Sequence, residues 1–198
     1  MRSSAKLKSI KAEPKSITRL DVGCGKNKKK NDDGLGEWTG IDQYKMDGVD
    51  VVMDVRARWP YDDDSVDEVH SSHFIEHLTG EERVHFYNEL YRVLKPGAKA
   101  TIITPHWASN RAYGDFTHAW PPVSEMSFYY LSKKWRETDA PHTDIRWNPK
   151  GYSCDLECAW GYGMRPDLVT RNSEYQQFAM ANYKDACLDT HCTMTKKA

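Results

Sequence analysis

LDVGCGKNKKK, residues 20–30, is the stretch on which the fold turns. The apolar run ITRLDV at 17–22 stops at Gly23, and Gly25 follows two positions later. A run of this length ended by glycine reads as a buried strand entering a turn. A dinucleotide loop requires G-x-G-x-x-G, and here Lys28 holds the third glycine's place. A phosphate-binding P-loop requires G-x-x-x-x-G-K-[ST], a pattern the stretch lacks. Two glycines alone leave a plain strand-end turn and a ligand loop equally open. Lys28, Lys29 and Lys30 read as a solvated rim.

Outward from the loop, WTGID at 38–42 and VDVVMDV at 49–55 read as the second and third strands. VDEVHSS at 66–72 is a fourth and AKATIITP at 98–105 a fifth. Thr79, with Glu82 three positions on, predicts a capping box. Val84, Tyr87, Tyr91 and Leu94 then fall on one face of a helix, which Pro96 and Gly97 stop. Strands separated by at least one helix and ended by glycine or polar turns indicate an α/β parallel sheet. Downstream, SEMSFYYLSKKWRE and SEYQQFAMANY read as helical. GYSCDLECAWGYG at 151–163 and KDACLDTHCTMT at 184–195 read as late strands. Residues 1–16, rich in lysine and poor in apolar residues, read as a flexible N-terminal arm, and 17–198 as a single domain.

The 198 residues suffice for one domain with a real core. A net charge of -1 supplies no global field to recruit nucleic acid or an anionic membrane, though a local basic face stays open. No apolar run approaches the length of a membrane-spanning helix, and the N-terminal stretch has no apolar signal-peptide core. Five cysteines, an odd number without a signal peptide, point to free thiols in the cytoplasm. Their C-x3-C and C-x4-C spacings miss the common zinc pattern. HFIEHL at 73–78 lacks the H-E-x-x-H order. No metal site is expected from these spacings, and the DDD at 62–64 reads as a solvated turn.

Asp42 ends the second strand about twenty residues beyond Asp21, where a carboxylate can accept from both hydroxyls of a ribose. Asp54 ends the third strand, where a carboxylate can accept from an adenine amino group. Ligands of open α/β sheets bind outside the carboxyl ends of the strands.

Taken in order, LDVGCGKNKKK, WTGIDQY, VDVVMDV, DDDSVDEVHSSHFIEHL and ELYRVLKPGAKATIITPHW resemble the successive motifs of class I S-adenosylmethionine-dependent methyltransferases. They are most similar to the small type-11 group. The resemblance spans 17–107 and is much weaker over 108–198. It implies a Rossmann-like sheet of seven strands, mostly parallel with an antiparallel terminal strand. It also implies S-adenosylmethionine as cofactor over 17–107 and a substrate-facing half over 108–198. Asp21, Gly23, Cys24 and Gly25 would surround the methionine portion. Asp42 would hold the ribose with Gln43 beside it, and Asp54 and Val55 would contact the adenine. Ser72 and His73 would lie near the transferred methyl. Two departures stand out. Asn27 replaces a common third glycine, and residues 26–37 lack an apolar helical face. The first crossover helix is therefore expected to be shortened or replaced by a loop.

Methyl transfer needs a general base only when the acceptor arrives protonated. His106, directly after the fifth strand, and an oriented Asp115–His118 pair in GDFTH are the acceptor-side candidates. His73 and His77 share a face if their segment is helical, and His77 reads as a packing residue. Trp107, Tyr113, Phe116 and Trp120 can line a substrate pocket. The expected activity is methyl transfer to a small-molecule acceptor. RNA or protein methylation and a non-catalytic S-adenosylmethionine-binding module are the alternatives. Amino-directed DNA methylation is disfavoured, because SSHFIEH stands where [DN]-P-P-[YF] would. The oligomeric state is left open.

Overall fold

The structure, a computed structural model, describes residues 17–197, so the arm expected at 1–16 lies outside the described residues. Seven strands form one sheet: β1 (Arg19–Val22), β2 (Trp38–Asp42), β3 (Val51–Val52), β4 (Val66–Ser72), β5 (Leu94–Pro105), β6 (Leu156–Met164) and β7 (Cys187–Lys196). Their order is β3-β2-β1-β4-β5-β7-β6. The first five run parallel, while β7 is antiparallel to both β5 and β6. The chain steps from β1 outward to β3, then returns to β4 on the other side of β1. This reversal is the topological switch point where α/β sheets bind ligands.

β1 is buried along its whole length, as a central parallel strand must be. Gly23 N and Cys24 N both donate to Ile41 O, so the turn after β1 is pinned to the end of β2. As the sequence anticipates, a loop rather than a helix joins β1 to β2. The third strand is much shorter than 49–55. Asp50 is the reason: its N–H donates to Gly40 O and its carboxylate accepts from Gly40 N at 2.7 Å and Lys28 Nζ at 2.9 Å. A side chain thus takes over the pairing that a longer strand would make. Gly40 is what permits it, since a Cβ there would lie 2.3 Å from Gly48 O.

Helix α1 (Gly80–Val93) starts as its sequence predicts, with both capping-box bonds between Thr79 and Glu82 formed. Its buried stripe is Phe86, Leu90 and Val93, with Tyr87 beside it. That is rotated from the expected face, and Val84 and Tyr91 are only half-buried. Phe86 sets the rotation: Trp59, Phe74 and Tyr87 all pack on its ring, with centroids at 5.4, 6.2 and 5.6 Å. Leu20, Val69 and Ile102 of the sheet complete this core.

The helix expected over SEMSFYYLSKKWRE is split into Met126–Tyr129 and Lys133–Thr138. At the break Ser132 caps the second piece and Leu131 O accepts from Leu156 N, while Arg136, 1% exposed, packs beneath. It donates to Tyr130 O at 2.6 Å and Cys154 O at 2.7 Å, and pairs with Asp144 at 3.2 Å. Ser173–Asn182 is helical as expected.

Candidate functional site

Two tight positive-φ glycines shape the loop after β1, Gly23 at φ 71 and Gly25 at φ 52. Asp42, at the end of β2, holds it: one carboxylate oxygen accepts from Gly25 N at 3.1 Å and the other from Tyr44 N at 3.1 Å. Beyond β4, His73 takes a left-handed backbone at φ 53. The chain turns there, and the Phe74 ring lies directly against Gly23. A Cβ on Gly23 would sit 2.3 Å from that ring.

A cleft opens between these elements. Five of the residues expected around the cofactor, Gly23, Asp42, Gln43, Asp54 and Val55, line it together with Met53, Arg56, Phe74, His77, Leu78 and Glu82. The wall thus mixes apolar side chains with three carboxylates and one guanidinium. Asp54 is held below the usual carboxylate range chiefly by its hydrogen bonds from the Arg56 guanidinium, at 2.8 Å on both oxygens.

Five other expected residues stand outside the lining, among them Gly25, whose N–H is held by Asp42. Asp21 is 3% exposed and faces away, accepting from Lys29 N at 2.7 Å and bonding His70 Nδ1 at 2.7 Å. It closes the loop from beneath. Ser72 pairs with Ile103 across the sheet. His73 turns toward Glu76 and Asp189, at 3.5 and 3.9 Å. Cys24 is tucked under the loop, its thiol pushed up to about 11 by burial and by the Asp21 and Asp42 carboxylates. Alkylation of the native protein at about pH 8 should therefore leave Cys24 unmodified, because the thiolate is the nucleophile. Rapid labelling of Cys24 by mass spectrometry would contradict this burial.

The acceptor-side candidates are arranged differently from the expectation. His106 is buried, with Nδ1 accepting from Ala108 N at 3.2 Å and Nε2 bonded to Glu125 Oε1 at 2.9 Å. Both ring nitrogens are engaged, and the ring is absent from the cleft lining. Burial opposes ionisation of Glu125, yet the His106 bond holds its carboxyl below the usual range. Asp115 and His118 do not bond through their side chains. Asp115 Oδ1 instead accepts from Thr117 N at 2.8 Å and from the Thr117 hydroxyl at 2.7 Å. A carboxylate closing its own turn two residues on is the favoured local geometry for aspartate. The Thr117 oxygen then meets His77 Nδ1 at 3.0 Å. His118 Nδ1 donates to Ala112 O at 3.2 Å, and its ring stands edge-on to His77 with centroids 4.7 Å apart. The sequence pairs Asp115 with His118; the fold substitutes Asp115–Thr117–His77. His77 and Phe74 are the residues that sequence reasoning undervalues. The spacing of HFIEHL contains no sign of a loop arriving 40 positions later.

Trp107, Tyr113 and Trp120 do line a common groove, with Glu125 and Met126 at its edge. Phe116 is fully exposed and outside that groove.

Residues 20–102 match the family model described as a methyltransferase domain. No curated protein matches the chain by sequence. Among solved structures, an S-adenosylmethionine-dependent methyltransferase from Archaeoglobus fulgidus is similar at 20% identity and TM-score 0.59, over 92% of this chain and 88% of its own. A Methanosarcina mazei methyltransferase is similar at 15% identity and TM-score 0.55, over 92% of this chain and 94% of its own. The [4+2]-cyclase SpnF shares the fold at 16% identity and TM-score 0.53, over 92% of this chain and 75% of its own. No helix among the described residues is long and apolar enough to cross a membrane.

Proposed function

We propose that this chain, an S-adenosylmethionine-dependent methyltransferase, binds its cofactor in the cleft at the ends of β1, β2 and β3 and methylates a small molecule held by residues 107–126. The observation that carries the cofactor placement is the chemistry of the cleft wall. Carboxylates of Asp42 and Asp54 stand over an apolar lining of Met53, Val55, Phe74 and Leu78. Arg56, whose guanidinium bonds both Asp54 oxygens, and Glu82 complete the wall, which suits a nucleoside attached to a cationic sulfonium. Among the described residues no lysine lines the cleft, and Lys28 of the loop is paired with Asp50 at 2.9 Å.

Bound there, S-adenosylmethionine supplies an electrophilic methyl group. The chain's own residues bind and align. Asp42 accepts from the ribose, with Gln43 beside it. Asp54 and the Val55 backbone read the adenine, and the Gly23–Gly25 backbone borders the methionine end. Cys24 and Asp21 support that loop from below. Ser72 and His73 set the exit from β4 that places Phe74 and His77. His118 and His77 face the acceptor, while Asp115 positions His77 through Thr117. His106 positions the acceptor loop by its bond to Glu125. Alignment of this kind contributes roughly 7–11 kcal/mol in favourable cases.

The aromatic groove of Trp107, Tyr113 and Trp120 favours an acceptor with a flat apolar part. Calorimetric titration with S-adenosylmethionine, followed by transfer of a labelled methyl group across pools of small molecules, tests the reading. Micromolar binding with label transfer is expected. Absence of binding at high micromolar cofactor would sink it.

A further inference from the structure

We propose that Glu76, His77 and His118 form a binding site for one divalent transition-metal ion beside the cofactor cleft. One nitrogen of each ring and one carboxylate oxygen lie within 4.8 Å of one another. Ligands of a common ion with bonds of about 2.0–2.2 Å stand roughly 3–3.5 Å apart. An ion binding here would draw the three groups together.

The hydrogen-bond pattern selects which nitrogens are free. The Thr117 hydroxyl has one proton, given to Asp115 at 2.7 Å, so its oxygen accepts from His77 Nδ1 at 3.0 Å. A carbonyl can only accept, so His118 Nδ1 carries a proton toward Ala112 O at 3.2 Å. Both neutral rings therefore keep their lone pair on Nε2. This is how metal-ligating histidines are oriented: the far nitrogen donates to an outer partner, which fixes tautomer and ring plane.

Glu76 supplies the charge. It is 4% exposed. Its carboxylate meets the Thr104 hydroxyl at 3.3 Å and His73 Nδ1 at 3.5 Å. Among the described residues it has no lysine or arginine salt bridge. Buried carboxylates are normally paired or bind metal. Arg83, the nearby cation, spends its guanidinium on main-chain carbonyls of Ile75, Glu76, Ala119 and Pro121. Those bonds tie the two ligand-bearing segments together, as does Ala119 N to Glu76 O at 2.8 Å. The ligands thus sit on clamped backbone.

Two imidazoles and one carboxylate with open positions suit iron(II), cobalt, nickel or zinc rather than calcium or magnesium. His77 also lines the cofactor cleft. An ion held there would present its open positions to an oxygen or nitrogen of the acceptor. The acceptor part of this inference rests on the methyl-transfer reading; metal binding itself does not.

The test uses the full chain, stripped by chelator and titrated with cobalt(II) without S-adenosylmethionine. One equivalent should bind, with visible ligand-field bands and a raised thermal midpoint. His77→Ala and His118→Ala should each abolish the bands while far-ultraviolet dichroism is unchanged. Thr117→Val, which removes only the outer partner of His77, should weaken binding about 10–100-fold. His142→Ala, at an exposed histidine elsewhere, should bind like the wild type. Should the ligand variants misfold, zinc titration of the wild type followed by imidazole resonances decides: His77 and His118 shift selectively if the site exists. No stoichiometric binding, or binding that survives in the double His77→Ala, His118→Ala variant, overturns the proposal.

Discussion

Replacing Asp42 by asparagine is expected to weaken S-adenosylmethionine binding roughly 10- to 100-fold, with little loss of thermal stability. Hydrogen bonds to a charged group are worth about 1.5–3 kcal/mol, and about 1.4 kcal/mol is tenfold in affinity. The substituted amide would keep one oxygen to accept from Gly25 N, the bond that Asp42 makes at 3.1 Å. The loop after β1 therefore stays in place. What disappears is the negative charge and the second oxygen, which accepts from Tyr44 N at 3.1 Å and is offered to a ribose diol. Calorimetric affinity, read beside the thermal midpoint, separates the two effects. Unchanged affinity would remove Asp42 from the ribose role.

Gly23→Ala is expected to act on the fold and the site together, costing about 2–5 kcal/mol and abolishing cofactor binding. One part is backbone strain, since Gly23 sits at φ 71. A side chain in the left-handed region costs about 1–2 kcal/mol. The other part is collision, because a Cβ there would lie 2.3 Å from Phe74. Overpacking of this sort costs about 1–3 kcal/mol. The two parts separate in a double-mutant cycle with Phe74→Ala, measured by urea unfolding. In that background Gly23→Ala should retain only the backbone cost. An identical cost in both backgrounds would mean that the ring is not what the methyl group meets. Wild-type cofactor affinity in the single variant would take Gly23 out of the cleft wall.

The strands are legible where their causes are local. Trp38–Asp42 and Val66–Ser72 have the expected bounds, because alternating or continuous burial is written in the run itself. The start of α1 is equally legible, since a capping box needs only residues three apart. The rotation of α1 is not. It depends on Trp59 and Phe74 arriving at Phe86 from other parts of the chain. The shortening of β3 is hidden for the same reason: Asp50 competes with the ladder only because Gly40 is beside it in space.

The same division runs through the site. Gly23, Asp42, Gln43, Asp54 and Val55 converge on one cleft because parallel strands deliver their ends to one edge. Their order in the chain is enough to group them. Asp21 lies only two residues from Gly23, yet it is still inside β1, and its carboxylate is taken by Lys29 N and the His70 ring. His106 looks available because it follows a strand end, but Glu125 and the Ala108 N–H occupy its nitrogens.

Periodicity, turn chemistry and the order of short motifs are therefore sufficient for the α/β class, the loop at Gly23–Gly25 and the strand-end carboxylates. Long-range packing is what puts Thr117 between Asp115 and His77, and what brings Glu76, His77 and His118 together. Arg83 joins those partners by bonding carbonyls of two segments far apart in the chain. Such a bond between distant backbone groups leaves no periodicity or spacing to read.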